Sequence, residues 1–406
     1  MSQGFASSSN ARTSRRSKPT SAKDAQTVQS KWLSYFESLD DPRGGQGKRH
    51  PLLSVVLIAI LATIGGATGW EDMEVYGEAQ AEWLSTFLDL PHGIPQADCY
   101  RRVFNRIDPK TLQSCFLKWI NDIVELTDGT VIPIDGKTMR GSYDRISEQS
   151  ALHVVSAWAS EHRLMLGQVK VDSKSNEITA IPALLKLLDI SGCIITIDAM
   201  GTQTKIAAQI IAQKGDYILC LKGNHSTLHE HVKRLFEQAK QTNFEGLAVA
   251  TDESVEGGHG RREVRKIWVL PIETLSEELH GQAQWAGLKS IVMVYRRRRL
   301  DTGKLTEETQ FFLSSLETDA QRIGRAIRLH WGIENQLHWV LDVTFGEDNS
   351  RIRKGHGPEN MTLLRRMSIS VLNRETTSKR SIRQKSKFAS MRPDYMLEVL
   401  ASAAQT

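Results

Sequence analysis

VIPIDGKTMRGS, residues 131–142, is a short apolar run that ends in a carboxylate, Asp135, followed by Gly136, Lys137 and Arg140. Its length and composition predict a buried strand. An ionised carboxylate at the end of such a strand is costly unless it is paired or holds a cation. Further on, CIITIDAMG (193–201) repeats the arrangement, with Asp198 directly after a buried strand. Around these two runs, LHVVSAWAS and RLMLGQVKV read as strands joined by the turn SEHR, EITAIPALLKLLD as a helix, TQTKIAAQIIAQKG as a helix closing at Gly215, and DYILCLKG as a last buried strand. The order strand, strand, strand, helix, strand, helix, strand predicts an α/β fold: a mixed five-stranded sheet with helices packed on it.

Carboxylates at the ends of neighbouring strands can converge on one point, where ligands commonly bind in α/β sheets. Two carboxylates forced together either share a proton or hold a cation. Hard divalent ions such as Mg²⁺ are held by a few carboxylates plus substrate phosphates. Alternatively, each aspartate caps the turn after its strand. A third acid lies in HWGIENQLHWVLDVTFGEDNSRIRKG (330–355). Read as a helix, this stretch lines up His330, Glu334, His338 and Asp342 in one polar stripe, beside an apolar face of Ile333, Leu337, Val340 and Leu341. The stripe allows a zinc site of His330, Glu334 and His338, a solvated helix face, or a magnesium site that Glu334 completes with Asp135 and Asp198. The last gives both aspartates a role.

The rest of the chain frames this core. Its 406 residues predict two or three domains, and 40% hydrophobic with 24% charged residues fits a soluble globular protein. Residues 1–27 carry five Lys/Arg against one Asp, and residues 351–394 carry twelve against three acids, so basic ends flank an acidic body. That segregation points to a polyanionic partner or to solvated tails. Cys99, Cys115, Cys193 and Cys220 form no C-x-x-C pair and read as reduced thiols of a cytoplasmic protein. Residues 1–29 read as a disordered basic arm. Residues 30–125 read as an all-helical, DNA-binding module, in which ADCYRRVFNRI (97–107) is either a recognition helix or an ordinary exposed one. The run LLSVVLIAILATIGGATGW from residue 52 loses its apolar character at Gly65, short of the roughly 18–20 residues of a membrane span, so no membrane association is expected. Residues 126–375 hold the sheet and the Glu334 helix, interrupted at about 225–316 by a β-rich insertion. Residues 376–406 read as a basic, loop-like tail with a final short helix.

The motifs VIPIDGKTMRGS, CIITIDAMG, DYILCLKGNH, GHGRREVR and HWGIENQLHWVLDVTFGEDNSRIRKG, taken in order, resemble those of the H-repeat-associated insertion-sequence transposases. These are DDE transposases with an RNase H-like catalytic domain. The N-terminal stretch from Tyr35 is similar to that family's associated module. The resemblance covers roughly residues 33–400. It implies that Asp135, Asp198 and Glu334 are a metal-binding acidic triad, for which two Mg²⁺ or Mn²⁺ ions are expected. It also implies that the substrates are double-stranded DNA, the element's terminal inverted repeats and a target, bound by a homo-oligomer. Related transposases outside this subgroup carry Tyr, Arg and Lys where this chain has Ile327, His330 and Leu341, a departure that weighs against a hairpin-forming route.

Several further residues are expected to touch DNA. Lys137 and Arg140 follow Asp135; Lys222 and Asn224 end the fifth strand; Arg351, Arg353 and Lys354 follow the glutamate helix. His330, Trp331, Asn335 and His338 are auxiliary positions around Glu334. The run YRRRR (295–299) either tracks phosphates or ends a hairpin in solvated arginines, and Trp268 either stacks on an unpaired base or packs in a strand.

Overall fold

The computed structural model describes residues 22–45, 48–143, 150–172, 175–258, 260–275 and 277–404. Residues 1–21 of the expected basic arm lie outside these, and residues 22–29 of it belong to a helix. Six helices open the chain: α1 (Ala22–Phe36), α2 (Leu52–Ile64), α3 (Trp70–Ala79), α4 (Ala81–Leu84), α5 (Ala97–Phe104) and α6 (Pro109–Ile123). Asp108 caps α6 by accepting from the Thr111 amide, with Pro109 in the first turn, where no backbone donor is needed. The apolar run is α2, thirteen residues long and buried on all sides. Among the described residues, no helix is long and apolar enough to cross a membrane.

The sheet begins with β1 (Val131–Met139), β2 (Leu152–Ala159) and β3 (Leu164–Lys170), an antiparallel meander. Helix α7 (Glu177–Leu185) leads to β4 (Ile194–Ile197), and α8 (Thr204–Ala212) to β5 (Asp216–Leu221); β4 runs parallel to both β1 and β5. Pro133, in central β1, sits just before pairing with β2 begins at Ile134, so its missing amide leaves no gap in that ladder.

Helix α9 (Ser226–Gln241) then leads into β6 (Ala250–Gly258), β7 (Arg261–Pro271), β8 (Ser290–Leu300) and β9 (Leu305–Ser314). These strands do not form a separate sheet. β9 returns antiparallel to β5, pairing Ile218 with Ser314 through Leu221 with Phe311, and the result is one nine-stranded sheet in the order β3-β2-β1-β4-β5-β9-β8-β7-β6. The expected five strands are its first five. The return of β9 covers what would otherwise be the bare edge of β5. β6, ATDESVEGG, is a strand the sequence hides: it has no apolar alternation and is held by pairing with β7 along its whole length. Arg296, Arg297 and Arg298 of the YRRRR run face Glu308, Glu307 and Glu263 across the strands, so much of its charge is neutralised within the sheet. Trp268 stacks on Phe244, with Lys240 5.4 Å from its ring centre, which settles it as a packed strand residue.

The chain continues through α10 (Ala320–Gly332), a π-helical turn (Ile333–His338), α11 (Trp339–Val343), α12 (Gly357–Arg374), α13 (Ile382–Met391) and α14 (Pro393–Ala404). On one sheet face, Ala320, Ile323, Ala326 and Ile327 of α10 pack over Val131, Ile194 and Ile218. On the other, a single apolar core joins the sheet to the N-terminal helices, with buried α12 against β3, α2 and α14. The segment read as a loop-like basic tail is therefore helical and packed. Ser381 and Gln384 form a capping box at the start of α13. Trp32 and Trp119 donate their indole N–H groups to the Leu400 and Ala403 carbonyls of α14. Part of the C-terminal positive charge is also internal: Arg365 and Arg366 are fully buried, and Lys385 bonds the Leu372 carbonyl.

Candidate active site

Parallel pairing of Ile134 with Ile197 puts the next residues, Asp135 and Asp198, at the same end of adjacent strands. The Asp135 carboxylate is 16% exposed and accepts a hydrogen bond from the Gly136 amide at 2.9 Å. From the opposite side, the π-helical turn after α10 presents Glu334 and His338. Nδ1 of His338 lies 3.6 Å from Asp135 Oδ2 and 3.5 Å from Glu334 Oε2. One ligating atom from each of Asp135, Glu334 and His338 falls within 4.8 Å of the others. π turns insert an extra residue into a helix and recur at functional sites; this one keeps Glu334 and His338 neighbours while burying Ile333 and Leu337 on its inner side.

The electrostatics follow from the crowding. Burial, and then the nearby Glu334 carboxylate, push Asp135 up to about 8, whereas the His338 hydrogen bond holds Glu334 down at about 2. Left to itself, the crowded pair favours holding a proton on the more buried carboxyl. A divalent cation relieves the same repulsion. The two carboxylates suit Mg²⁺ and Mn²⁺, and the imidazole adds a donor that softer divalent ions such as Zn²⁺ also accept. The residues present thus fit a divalent ion.

Asp198 stands outside this cluster. Its Oδ1 accepts from the Met200 and Gly201 amides at 3.1 and 3.3 Å, so it closes the turn after β4. It also lines a small cavity with Lys222, His330 and Trp331. His330 Nδ1 is 2.9 Å from Thr196 Oγ1, and burial pushes its pKa down. His330, Glu334 and His338 are therefore not gathered as a zinc site.

The remaining expected residues divide. Lys137 is half-buried and bonds Asp342 Oδ2 at 2.8 Å, with Asp348 at 3.6 Å, so it fastens β1 to the segment after Glu334. Arg140 is 85% exposed. Lys222 is exposed, while the Asn224 amide donates to the Ala199 carbonyl at 2.5 Å and holds the Asp198 loop. Arg353 donates to the Gly141 carbonyl at 3.2 Å; Arg351 and Lys354 are exposed beside it. Trp331 carries the Arg296 guanidinium 5.7 Å from its ring centre, and Asn335 bonds the Trp331 carbonyl. Ile327 and Leu341 are core residues.

Sequence reading missed the group behind Asp135. Thr138 Oγ1 meets His153 Nδ1 at 2.7 Å, and His153 Nε2 meets Glu177 Oε1 at 2.8 Å. This chain lies against Gly136: a Cβ there would stand 2.1 Å from Glu177 Oε1 and 2.7 Å from His153 Nε2. Gly136 thus lets the ends of the Glu177 and His153 side chains approach closely, and the sequence signal was a glycine straight after the acid. Gly136→Ala is expected to push Glu177 and His153 aside and shift the Asp135 backbone. Mn²⁺ affinity, read by calorimetry, should fall about 10- to 100-fold, the range for disturbed supporting contacts at metal sites.

Comparison with known proteins bears on this geometry. The family model described as "Transposase DDE domain" matches residues 124–371, more than half of the chain, and that described as "DDE_Tnp_1-associated" matches residues 33–120. The chain belongs to the DDE transposase family. Over 376 residues it is 38% identical to "Putative transposase YncI" of Escherichia coli O157:H7, covering 92% of this chain and 95% of that protein. It is equally similar to "H repeat-associated putative transposase YhhI" of Escherichia coli strain K12, where the match covers 92% of this chain and 98% of the relative. A shorter match, 40% over 57 residues, is to "Inactive transposase YbfQ" of the same strain. As a DDE transposase family member the chain has an RNase H-like catalytic fold, and its family implies DNA as the bound partner.

Proposed function

We propose that this chain is a catalytically competent DNA transposase that cuts at the ends of its element and joins the freed 3′-OH to target DNA. The observation that carries this reading is the convergence of Asp135, Glu334 and His338 within 4.8 Å, at the strand end that Asp198 shares. Asp135 and Glu334 are the residues to hold the divalent ions, Asp198 is to join them from the end of the neighbouring strand, and His338 orients Glu334. Two bound Mg²⁺ or Mn²⁺ ions supply activation of the attacking oxygen and stabilisation of the leaving one. In the first step water attacks the phosphodiester at the element's end, the bond to the 3′ oxygen breaks, and a 3′-OH is released. In the second, that hydroxyl attacks a target phosphodiester, one P–O bond forms, and one target strand leaves with its own 3′-OH. No covalent bond to the protein is needed. The helical region (30–125) and the catalytic region (126–375) act on the same DNA, within a homo-oligomer that brings two element ends together.

The test is to incubate the protein with its element's own ends, a plasmid and Mn²⁺ or Mg²⁺, and to sequence the junctions. Joined products at defined element ends are expected. Cut but never joined products would make the chain a nuclease.

Because burial and the Glu334 charge hold the Asp135 carboxyl well above the usual carboxylate range, ion uptake should release its proton. Mn²⁺ affinity is expected to rise with pH, by up to about tenfold per pH unit while one proton is displaced, and to level off once Asp135 is ionised. Calorimetric titration in buffers of different ionisation enthalpy measures both the affinity and the proton count.

A further inference from the structure

Beyond the acidic site, a groove of about 830 Å³ runs between α5 and the loop that follows the Glu334 segment. Arg101 lines one wall; Arg351, Arg353 and Lys354 line the other; Glu71 is the one carboxylate among its lining residues. The two walls are locked together. The His356 amide donates to the Asn105 carbonyl at 3.1 Å, and buried Asn360 donates to the Phe104 and Ile107 carbonyls at 2.7 and 2.9 Å. Gly355 has a φ of +54°, and a Cβ on it would stand 2.5 Å from the Asn105 carbonyl oxygen. At the other end, Arg353 bonds the Gly141 carbonyl, and Gly141 is pressed against the Ser350 carbonyl. Through Arg353 this wall of the groove is bonded to the turn that follows β1, where Arg140 is exposed.

This arrangement is not that of a recognition helix. α5 has eight residues, with Tyr100, Val103 and Phe104 buried in the core. Arg101 and Asn105, one turn apart, both line the groove, and Asn105 is occupied by residues 355–357. Arg101 is also paired with Asp98. Four cations against one acid between low-dielectric walls concentrate positive potential, and contacts to phosphates fix position without reading sequence. We infer that Arg101, Arg351 and Lys354 hold the DNA backbone by charge, and that α5 serves as a fixed wall of this groove. This rests on DNA being the substrate, as argued above.

The experiment uses the full chain and fluorescein-labelled duplexes, one of arbitrary sequence and one carrying the element end, at salt concentrations from about 50 to 200 mM. Each phosphate contact contributes about 0.9 to the slope of log affinity against log salt. The slope should fall by about 2 in Arg351→Ala/Lys354→Ala and by about 1 in Arg101→Ala, equally on both duplexes. Arg351→Lys/Lys354→Arg should keep the wild-type slope, and all variants should melt with the parent. An unchanged slope in the alanine variants overturns the inference. So does a loss confined to the element end, which would make α5 a sequence reader. Failure of the substrate reading looks different: the wild-type chain would then bind neither duplex with a salt-dependent affinity.

Discussion

Asp135→Asn and Glu334→Gln are each expected to reduce strand cleavage by about 10³-fold while leaving duplex binding nearly unchanged. The estimate follows from what a divalent ion contributes to a charged transition state, several kcal/mol, with each 1.36 kcal/mol worth a factor of ten. Asp135 is mostly buried and in contact with both Glu334 and His338, so removing its charge leaves the ion without its most enclosed ligand. Asp198→Asn is the discriminating variant. Its Oδ1 is taken up by two turn amides, yet its position beside Asp135 at the strand end leaves the other oxygen for an ion. If Asp198 belongs to the catalytic set, its loss matches that of Asp135. If cleavage survives Asp198→Asn but collapses in His338→Ala, the third ligand is the histidine. Full cleavage in Asp135→Asn would remove the basis of the mechanism.

Glu347→Ala should destabilise the fold by about 3–5 kcal/mol, the usual cost of breaking a buried ion pair. Glu347 and Arg366 are both fully buried, with Arg366 Nη1 3.0 Å from Glu347 Oε1 and Arg366 Nε bonded to Ser156 Oγ. Arg365, the next residue, is buried too and bonds the Thr68 carbonyl. Burial already lowers both guanidinium pKa values, that of Arg365 to about 10, and the Glu347 charge opposes that shift. Without Glu347, two adjacent cations face the core with no carboxylate hydrogen-bonded to either. Urea unfolding gives the number. The paired replacement Glu347→Leu/Arg366→Met should recover most of the loss, because apolar side chains of similar size need no counter-charge. A loss below about 1 kcal/mol in Glu347→Ala would mean that water reaches the pair.

What could be read in the sequence was whatever the chain writes locally. β1, β4 and β5 are continuous apolar runs, so their existence and the placing of Asp135 and Asp198 at their ends were legible. Glu334 was legible through helical spacing and family likeness. The π turn that joins Glu334 to His338 was not, because an added residue in a helical turn leaves the side-chain types unchanged. β6 was hidden for a related reason: its strand character comes from pairing with β7, not from its own residues. Charge was the least readable property. Lys137, Arg365, Arg366 and much of YRRRR look like free cations in one dimension, and each meets its partner only once strands pair or separate segments pack together.

The contact between the first and last described helices has a consequence for biosynthesis. Trp32 and Trp119 are sealed by carbonyls at Leu400 and Ala403, which lie 368 and 284 positions further along the chain. On the ribosome, α1 to α6 emerge early but cannot close their apolar seam until α14 follows. The nascent chain therefore carries an uncovered tryptophan pair through most of its synthesis, and its folding is held back by contacts of very long range. A product that stops before residue 393 keeps that surface open, which makes shortened copies targets for chaperones and proteases rather than quiet binders of DNA.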